Sequence, residues 1–262
     1  MTFYEKEENL IEMMQDVPYC KTDFFLSGLK LKLLYSKVHN WFKWRLFWKD
    51  SSAKDALPPD FYSDRYKLML EVMRVDDHGF KKNGKYRNPS YEREREIEKR
   101  LRAIAGDEET FNSLTIFIVP KTGLPAIEDH NYKFYLANFK RTIEKHKNKI
   151  AKYKENHPGY KTIFYVFDES SAYFVPDDEN IKVLKKGQTV KGFIHQHFKD
   201  RAFLQTFIDS DIDYVIWHTP FKLVLTYDKV SMKTPQICVF DCKKTIKNTI
   251  DYNPEAMVSV EE

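Results

Sequence analysis

Two histidines one residue apart stand in Gly192-Phe193-Ile194-His195-Gln196-His197. Alternate residues of a β-strand point to one face, so a strand here aims both imidazoles at a common centre. Asp209 follows twelve residues after His197, and Thr206 lies nearly a turn before it on a helix predicted over about 199–209. His195, His197 and Asp209 with an open fourth position suit a zinc ion that acidifies bound water. A second constellation is Pro59-Asp60 followed by Leu70-Glu71-Val72-Met73-Arg74, two acids on either side of one predicted turn. A third set, Asp76-Asp77-His78, Asp168-Glu169-Ser170 and His218, lies just past predicted strands, at the edge where parallel sheets gather ligands. These residues are expected either to converge on a divalent metal or to form turns.

The histidine constellation resembles the JAMM/MPN family of zinc isopeptidases, whose signature is an HxHP strand followed by SxxD on a helix. The likeness covers about 100 residues, from the helix before His157 to the strand near Lys222. It implies His195, His197 and Asp209 as metal ligands and Thr206 as the group that stabilises the developing oxyanion. Phe198 stands where the family has proline, threonine replaces serine, and the spacing to Thr206 is one residue longer. The general base implied by the family has Glu155 and Glu169 as its nearest counterparts, and Asp168 is a further candidate ligand.

The Asp60 and Glu71 constellation resembles the PD-(D/E)XK nucleases, which set an acidic pair and a lysine around a divalent ion. Met73 occupies the lysine position, and Arg74 points to the other strand face. With Ser63-Asp64 as a two-residue turn, Asp60 is expected opposite Lys67, about 13 Å along the strand from Glu71. That spacing leaves Glu71 to meet Arg74 or another basic group as a buried pair, unless Asp76, Asp77 or Asp168 supplies the second acid.

The elements that must position these residues are read from periodicity. Residues 24–48 place Leu31, Leu34, Tyr35, Val38, Trp41, Phe42 and Trp48 on one face of a predicted amphipathic helix, which reads as core. Its lysines read as a solvated face, with a membrane surface or stacked bases as alternative partners. Tyr66–Val75 reads as a strand, and Asn88-Pro89 opens a helix carrying Ile97, Leu101 and Ile104. A long helix carries Tyr132, Leu136, Phe139, Ile143, Ile150 and Tyr153 and stops at His157-Pro158-Gly159, its lysines solvated. Strands follow at 161–167, 172–175, 190–196, 213–218 and 222–227. The second half is thus predicted to run α-β-β-β-α-β-β in an α/β fold, a mixed sheet flanked by helices.

A boundary is expected near Pro120–Pro125, giving an N-terminal α/β region over 1–125, an α/β core over 126–250 and an acidic tail over 251–262, with one fused domain as the alternative. The 262 residues suffice for a core without disulfides. Forty-three basic and 39 acidic side chains leave only +4, too little to identify a nucleic-acid partner. Cys20, Cys238 and Cys242 form no CxxC pair and leave an odd thiol, as in a reducing compartment. The acidic opening Met1–Glu8 lacks the pattern of a signal peptide, and no run of 18 apolar residues occurs. A soluble cytoplasmic protein is expected. No GxGxxG, GK[ST], GxSxG or zinc-finger pattern is present. The expected function is a metal-dependent hydrolase, in the first place a JAMM-like zinc isopeptidase acting on protein, with a magnesium-dependent nuclease acting on nucleic acid as the alternative and a non-catalytic binding protein as the third reading.

Overall fold

Strand β7 (Lys161–Asp168) is buried from Thr162 to Asp168 on both faces. Such a run belongs to a strand with neighbours on each side and helices above and below. A computed structural model bears this out; it describes residues 6–25, 28–51, 59–78, 80–82, 85–87, 89–107, 130–184, 188, 190–208, 210–222, 234–244 and 248–260. β4 (Leu68–Val75) and β10 (Tyr214–His218) flank β7, and both run parallel to it. β3 (Phe61–Ser63) and β2 (Lys49–Asp50) continue the sheet antiparallel beyond β4. On the other side β11 (Ile237–Asp241) pairs antiparallel with β10, and β1 (Thr22–Phe25) is parallel to β11. The result is a seven-stranded mixed sheet in the order β1-β11-β10-β7-β4-β3-β2.

Side-chain alternation divides the core into two layers. Leu68, Leu70, Val72, Tyr165 and Ile216 meet α1 (Glu7–Gln15), α2 (Gly28–His39) and α3 (Trp41–Phe47). Met73, Phe164, Val166, Val215 and Trp217 meet α5 (Tyr132–Lys147) and the short α7 (Arg201–Leu204) on the opposite face. α6 (Ile150–Asn156) follows α5 and ends at His157-Pro158-Gly159, where Gly159 has φ +79°, a conformation glycine adopts without steric cost. β5 (Phe80–Lys82) and β6 (Lys85–Arg87) form a hairpin before α4 (Pro89–Ala105). A small antiparallel sheet joins β8 (Tyr173–Pro176), β9 (Gly192–Ile194) and β12 (Val258–Ser259). No helix among the described residues is long and apolar enough to cross a membrane.

Several expectations are corrected. The helix predicted over 24–48 is β1, α2 and α3, because Asn40 accepts a hydrogen bond from Lys43 N and starts a new helix. Trp41 and Phe42, expected in the core, are 55% and 67% exposed. The expected boundary at 120–125 lies outside the described residues, yet the sheet takes strands from both sides of it. Within the expected acidic tail, Val258 is buried and β12 pairs with β8. Past Lys222 the strand predicted over 222–227 is outside the described residues; among those described, β11 follows β10.

Candidate active site

The turn between β3 and β4 decides the geometry of the first constellation. Phe61 pairs with Leu70, Tyr62 with Met69 and Ser63 with Leu68, so continuing the register puts Asp60 opposite Glu71. The expectation that Asp60 faces Lys67 is overturned. The loop runs from Asp64 to Lys67, and Lys67 takes φ +52°, which lets four residues turn the chain where two were predicted.

Asp60 Oδ2 accepts a hydrogen bond from Val72 N at 2.7 Å. Burial, followed by the charge of Glu71, pushes its carboxyl up to about 8. Glu71 itself is 1% exposed. Its Oε1 accepts from the Tyr153 hydroxyl at 2.8 Å and from Lys149 Nζ at 3.3 Å, while His146 Nδ1 lies 2.5 Å away. Its Oε2 is buried with no hydrogen-bond partner among the described residues. These partners arrive because the chain turns at Asn148 and Lys149: the last turn of α5 brings His146, and α6 brings Tyr153. Lys149 is 32% exposed and Asp60 is half-buried, so the cluster meets solvent on their side. Met73 lies in the core as the strand pattern implied, and the amine near Glu71 comes from another element altogether.

The carboxylates at the ends of β4 and β7 have a different setting. Asp168 is fully buried. Its Oδ2 accepts from the Tyr135 hydroxyl and from Trp217 Nε1, the latter at 2.8 Å. Its Oδ1 accepts from Ser170 N at 3.0 Å and from the Ser170 hydroxyl. Lys222 Nζ lies 3.9 Å from Asp168, donates to Ser170 Oγ and to Ser171 O at 2.9 Å, and sits 4.4 Å from the centre of the Tyr135 ring. Asp77 Oδ2 accepts from Ser171 N, Ser171 Oγ and the Tyr173 hydroxyl at 3.1, 2.7 and 2.6 Å. Asp76 Oδ1 accepts from Asn138 Nδ2 at 3.0 Å. His218, on the other face of the sheet, places Nδ1 2.9 Å from the Tyr165 hydroxyl, and burial pushes its imidazole down to about 3.

The histidine motif loses its strand after Ile194 and enters a short 3-10 turn at His197. His195 Nε2 lies 2.7 Å from Asp200 Oδ2, which also accepts from the Tyr132 hydroxyl at 2.6 Å. His197 is fully buried with its ring 4.8 Å from that of Trp217, and neither nitrogen has a hydrogen-bond partner among the described residues. Burial, then the charges of Lys222 and His195, holds its imidazole well below the usual histidine range. Thr206 lies in a 3-10 turn rather than a continuous helix, and its hydroxyl donates to Phe203 O at 2.6 Å. Asp209 lies outside the described residues. Glu169 is gripped by Arg74 through a two-pronged ion pair of 2.5 and 2.9 Å, so Arg74, expected as a partner of Glu71, is committed to Glu169 instead. The zinc reading gains no support from this arrangement.

Among the described residues no group of three or more His, Cys, Asp or Glu side chains is arranged to hold a metal. Comparison with protein-family models, with curated proteins and with solved structures returns no match. The chemistry therefore rests on the chain's own residues. Asp60 and Glu71 were visible in the sequence, but their partners were not: Lys149 sat on a helix face that read as solvated, His146 carried no motif, and Tyr153 read as part of the apolar face of that helix. Lys222 and Asp200 carried no motif at all.

Proposed function

We propose that the chain is a divalent-metal-dependent phosphodiester hydrolase acting on nucleic acid, with Asp60, Glu71 and Lys149 as its working groups. The observation that carries this reading is the juxtaposition of Asp60 with Glu71 across β3 and β4, with the Lys149 amine on the same carboxylate. Two acids and an amine at one place form the set that the nuclease resemblance requires, although the amine comes from the start of α6 rather than from β4.

The donor set fits a hard divalent cation. Tyr153, His146 and Lys149 all engage Oε1 of Glu71, which fixes the carboxylate and leaves the buried Oε2 without a partner. Asp60 beside it holds its proton to about pH 8 because burial, and after it the charge of Glu71, disfavours its carboxylate. Asp60 and Glu71 Oε2 would hold the ion, with water filling the remaining positions as magnesium requires. The ion, when bound, stabilises negative charge on a phosphoryl oxygen. The chain's own contribution is positional. Tyr153 and His146 keep Glu71 from rotating, and the Val72 amide holds one oxygen of Asp60. Lys149, a third exposed, places a cation where substrate can approach.

The test is cleavage of plasmid DNA, single-stranded DNA and RNA in Mg²⁺ or Mn²⁺ by the native chain and by Glu71→Gln and Asp60→Asn. Metal-dependent cleavage that falls at least about a hundredfold in both variants supports the reading. Cleavage that persists in both, or none by the native chain with either ion, removes it and leaves a binding protein.

A further inference from the structure

The outer face of α2 and α3 carries large, exposed apolar side chains. At about 100° per residue, Leu29 and Leu33 fall opposite the buried Leu31, Leu34, Tyr35 and Val38, and they are 75% and 58% exposed. The same arrangement recurs on α3. Phe42 and Leu46 fall opposite the buried Trp44 and are 67% and 57% exposed. The flanks are basic in both helices: Lys30, Lys32 and Lys37 border the leucines, and Lys43 and Arg45 border Phe42 and Leu46.

Between Gly28 and Lys49 the sequence has six Lys or Arg and no Asp or Glu. Lys30 lies 3.6 Å from Asp241, and Arg45 reaches Glu12 at 3.3 Å and Glu8 at 3.8 Å. Lys32, Lys37 and Lys43 have no carboxylate within ion-pair distance among the described residues. Trp41 stands at the margin of the apolar tip, 55% exposed, with the Arg45 guanidinium 5.1 Å from its ring centre.

We propose that this face docks on an anionic lipid surface, with Leu29, Leu33, Phe42 and Leu46 entering the headgroup boundary and the flanking amines meeting lipid phosphates. The order of residue types around each helix selects the partner. A phosphate backbone would be met by cations at the outermost position, whereas here apolar groups are outermost and cations lie beside them, as in helices that lie in a membrane interface. Two of the four tips are leucines on α2 that offer a base no stacking surface. The run of six Lys or Arg with no Asp or Glu from Gly28 to Lys49 matches a uniformly anionic surface better than the mixed polar rim of a protein interface. This surface is on the face of the sheet opposite Glu71, so the inference does not depend on the proposed chemistry.

The experiment is sedimentation of the full chain with vesicles of phosphatidylcholine alone and of phosphatidylcholine with about one third phosphatidylglycerol. Trp emission is recorded alongside, since Trp44, Trp48 and Trp217 are buried and Trp41 reports the surface. Binding to the anionic vesicles only, weakened by salt and accompanied by a blue shift that Trp41→Phe removes, is the expected result. Leu33→Glu with Phe42→Glu should lower vesicle affinity at least about tenfold while leaving the thermal midpoint unchanged. No binding to anionic vesicles, or binding unaltered by the double variant, overturns the proposal. So does a self-associated chain that the double variant makes monomeric, or single-stranded DNA binding that needs Lys32 and Lys43 without vesicle binding.

Discussion

Two buried carboxylates under α5, Asp168 and Glu71, each stand near a lysine and differ in how far the fold has satisfied them. Near the start of the helix, Tyr135 donates to Asp168, and Lys222 beside it is 6% exposed with donors and acceptors all around. Near its end, His146 meets Glu71, whose Oε2 is left without a partner, and Lys149 is 32% exposed. Eleven residues separate Tyr135 from His146, or about 16 Å of helix. The contrast teaches that a charged cluster is read by its accounts of donors and acceptors rather than by its composition. Around Asp168 both oxygens are occupied and the amine is enclosed, so the cluster fixes where β7, β10 and α5 meet. Around Glu71 one oxygen is held and the other is left over, which is the condition for taking a ligand.

Replacing the two lysines should separate the regions most widely. Lys222→Ala leaves Asp168 buried beside unpaired carbonyls, and breaking a buried pair in this way costs about 3–5 kcal/mol. Urea unfolding should show that loss as a large fall in midpoint. Lys149→Ala should cost under about 1 kcal/mol, because its amine is partly solvated, yet abolish most metal-dependent cleavage. A small effect at Lys222, or a large loss of stability at Lys149, would reverse the assignment of structural and chemical roles.

Asp60 and the buried histidines should leave opposite marks on stability as pH changes. Asp60 has its carboxyl raised from 3.8 to about 8 in the folded chain. Between those values the folded state binds the extra proton, so stability falls as pH rises, by up to about 1.4 kcal/mol per pH unit. Asp60→Asn should flatten this limb in thermal melts, and Mg²⁺ or Mn²⁺ should raise the native midpoint most at pH near 8. The histidines work the other way. Burial lowers His195, His197 and His218 below the ordinary 6.5. The unfolded chain then takes protons that the folded chain refuses, and stability falls as pH drops below about 6.5. His197→Leu should weaken that acid limb and, by removing a buried ring with no hydrogen-bond partner, raise stability near neutrality by about 1 kcal/mol. Loss of a bound metal or of activity in His197→Leu would instead restore the paired-histidine reading.

Much of the sheet was legible because apolar runs report burial directly. β4, β7 and β10 follow from Leu68–Val75, Lys161–Asp168 and Tyr214–His218, and the stop at His157-Pro158-Gly159 follows from proline and glycine. The pairing of Asp60 with Glu71 was hidden by the turn. Nothing in a lysine announces the left-handed backbone that Lys67 adopts, and a shift in loop length moves every partner along the strand. Periodicity also marked His146 and Lys149 as polar without showing that the chain bends at Asn148 to bring both onto one carboxylate. The His-x-His spacing assumes a strand through His197, whereas β9 ends at Ile194.

Thr206 gives the smallest effect and the finest separation between a local structural role and a catalytic one. Its hydroxyl donates to Phe203 O within the same turn at 2.6 Å, and the residue is 8% exposed. Thr206→Val keeps the branched shape and removes only that hydrogen bond, so unfolding should become easier by about 0.5–1 kcal/mol. Thr206→Ser should retain the bond and most of the stability. An oxyanion-stabilising hydroxyl would behave otherwise, since its removal costs a hundredfold or more in rate, about 3 kcal/mol in the transition state, at little cost in folding. Parallel urea melts and cleavage assays on the two variants therefore discriminate. A loss confined to stability keeps Thr206 in the scaffold beside Phe203, whereas a rate loss in Thr206→Val that Thr206→Ser restores would move the reacting centre from β3 and β4 to the turn after α7.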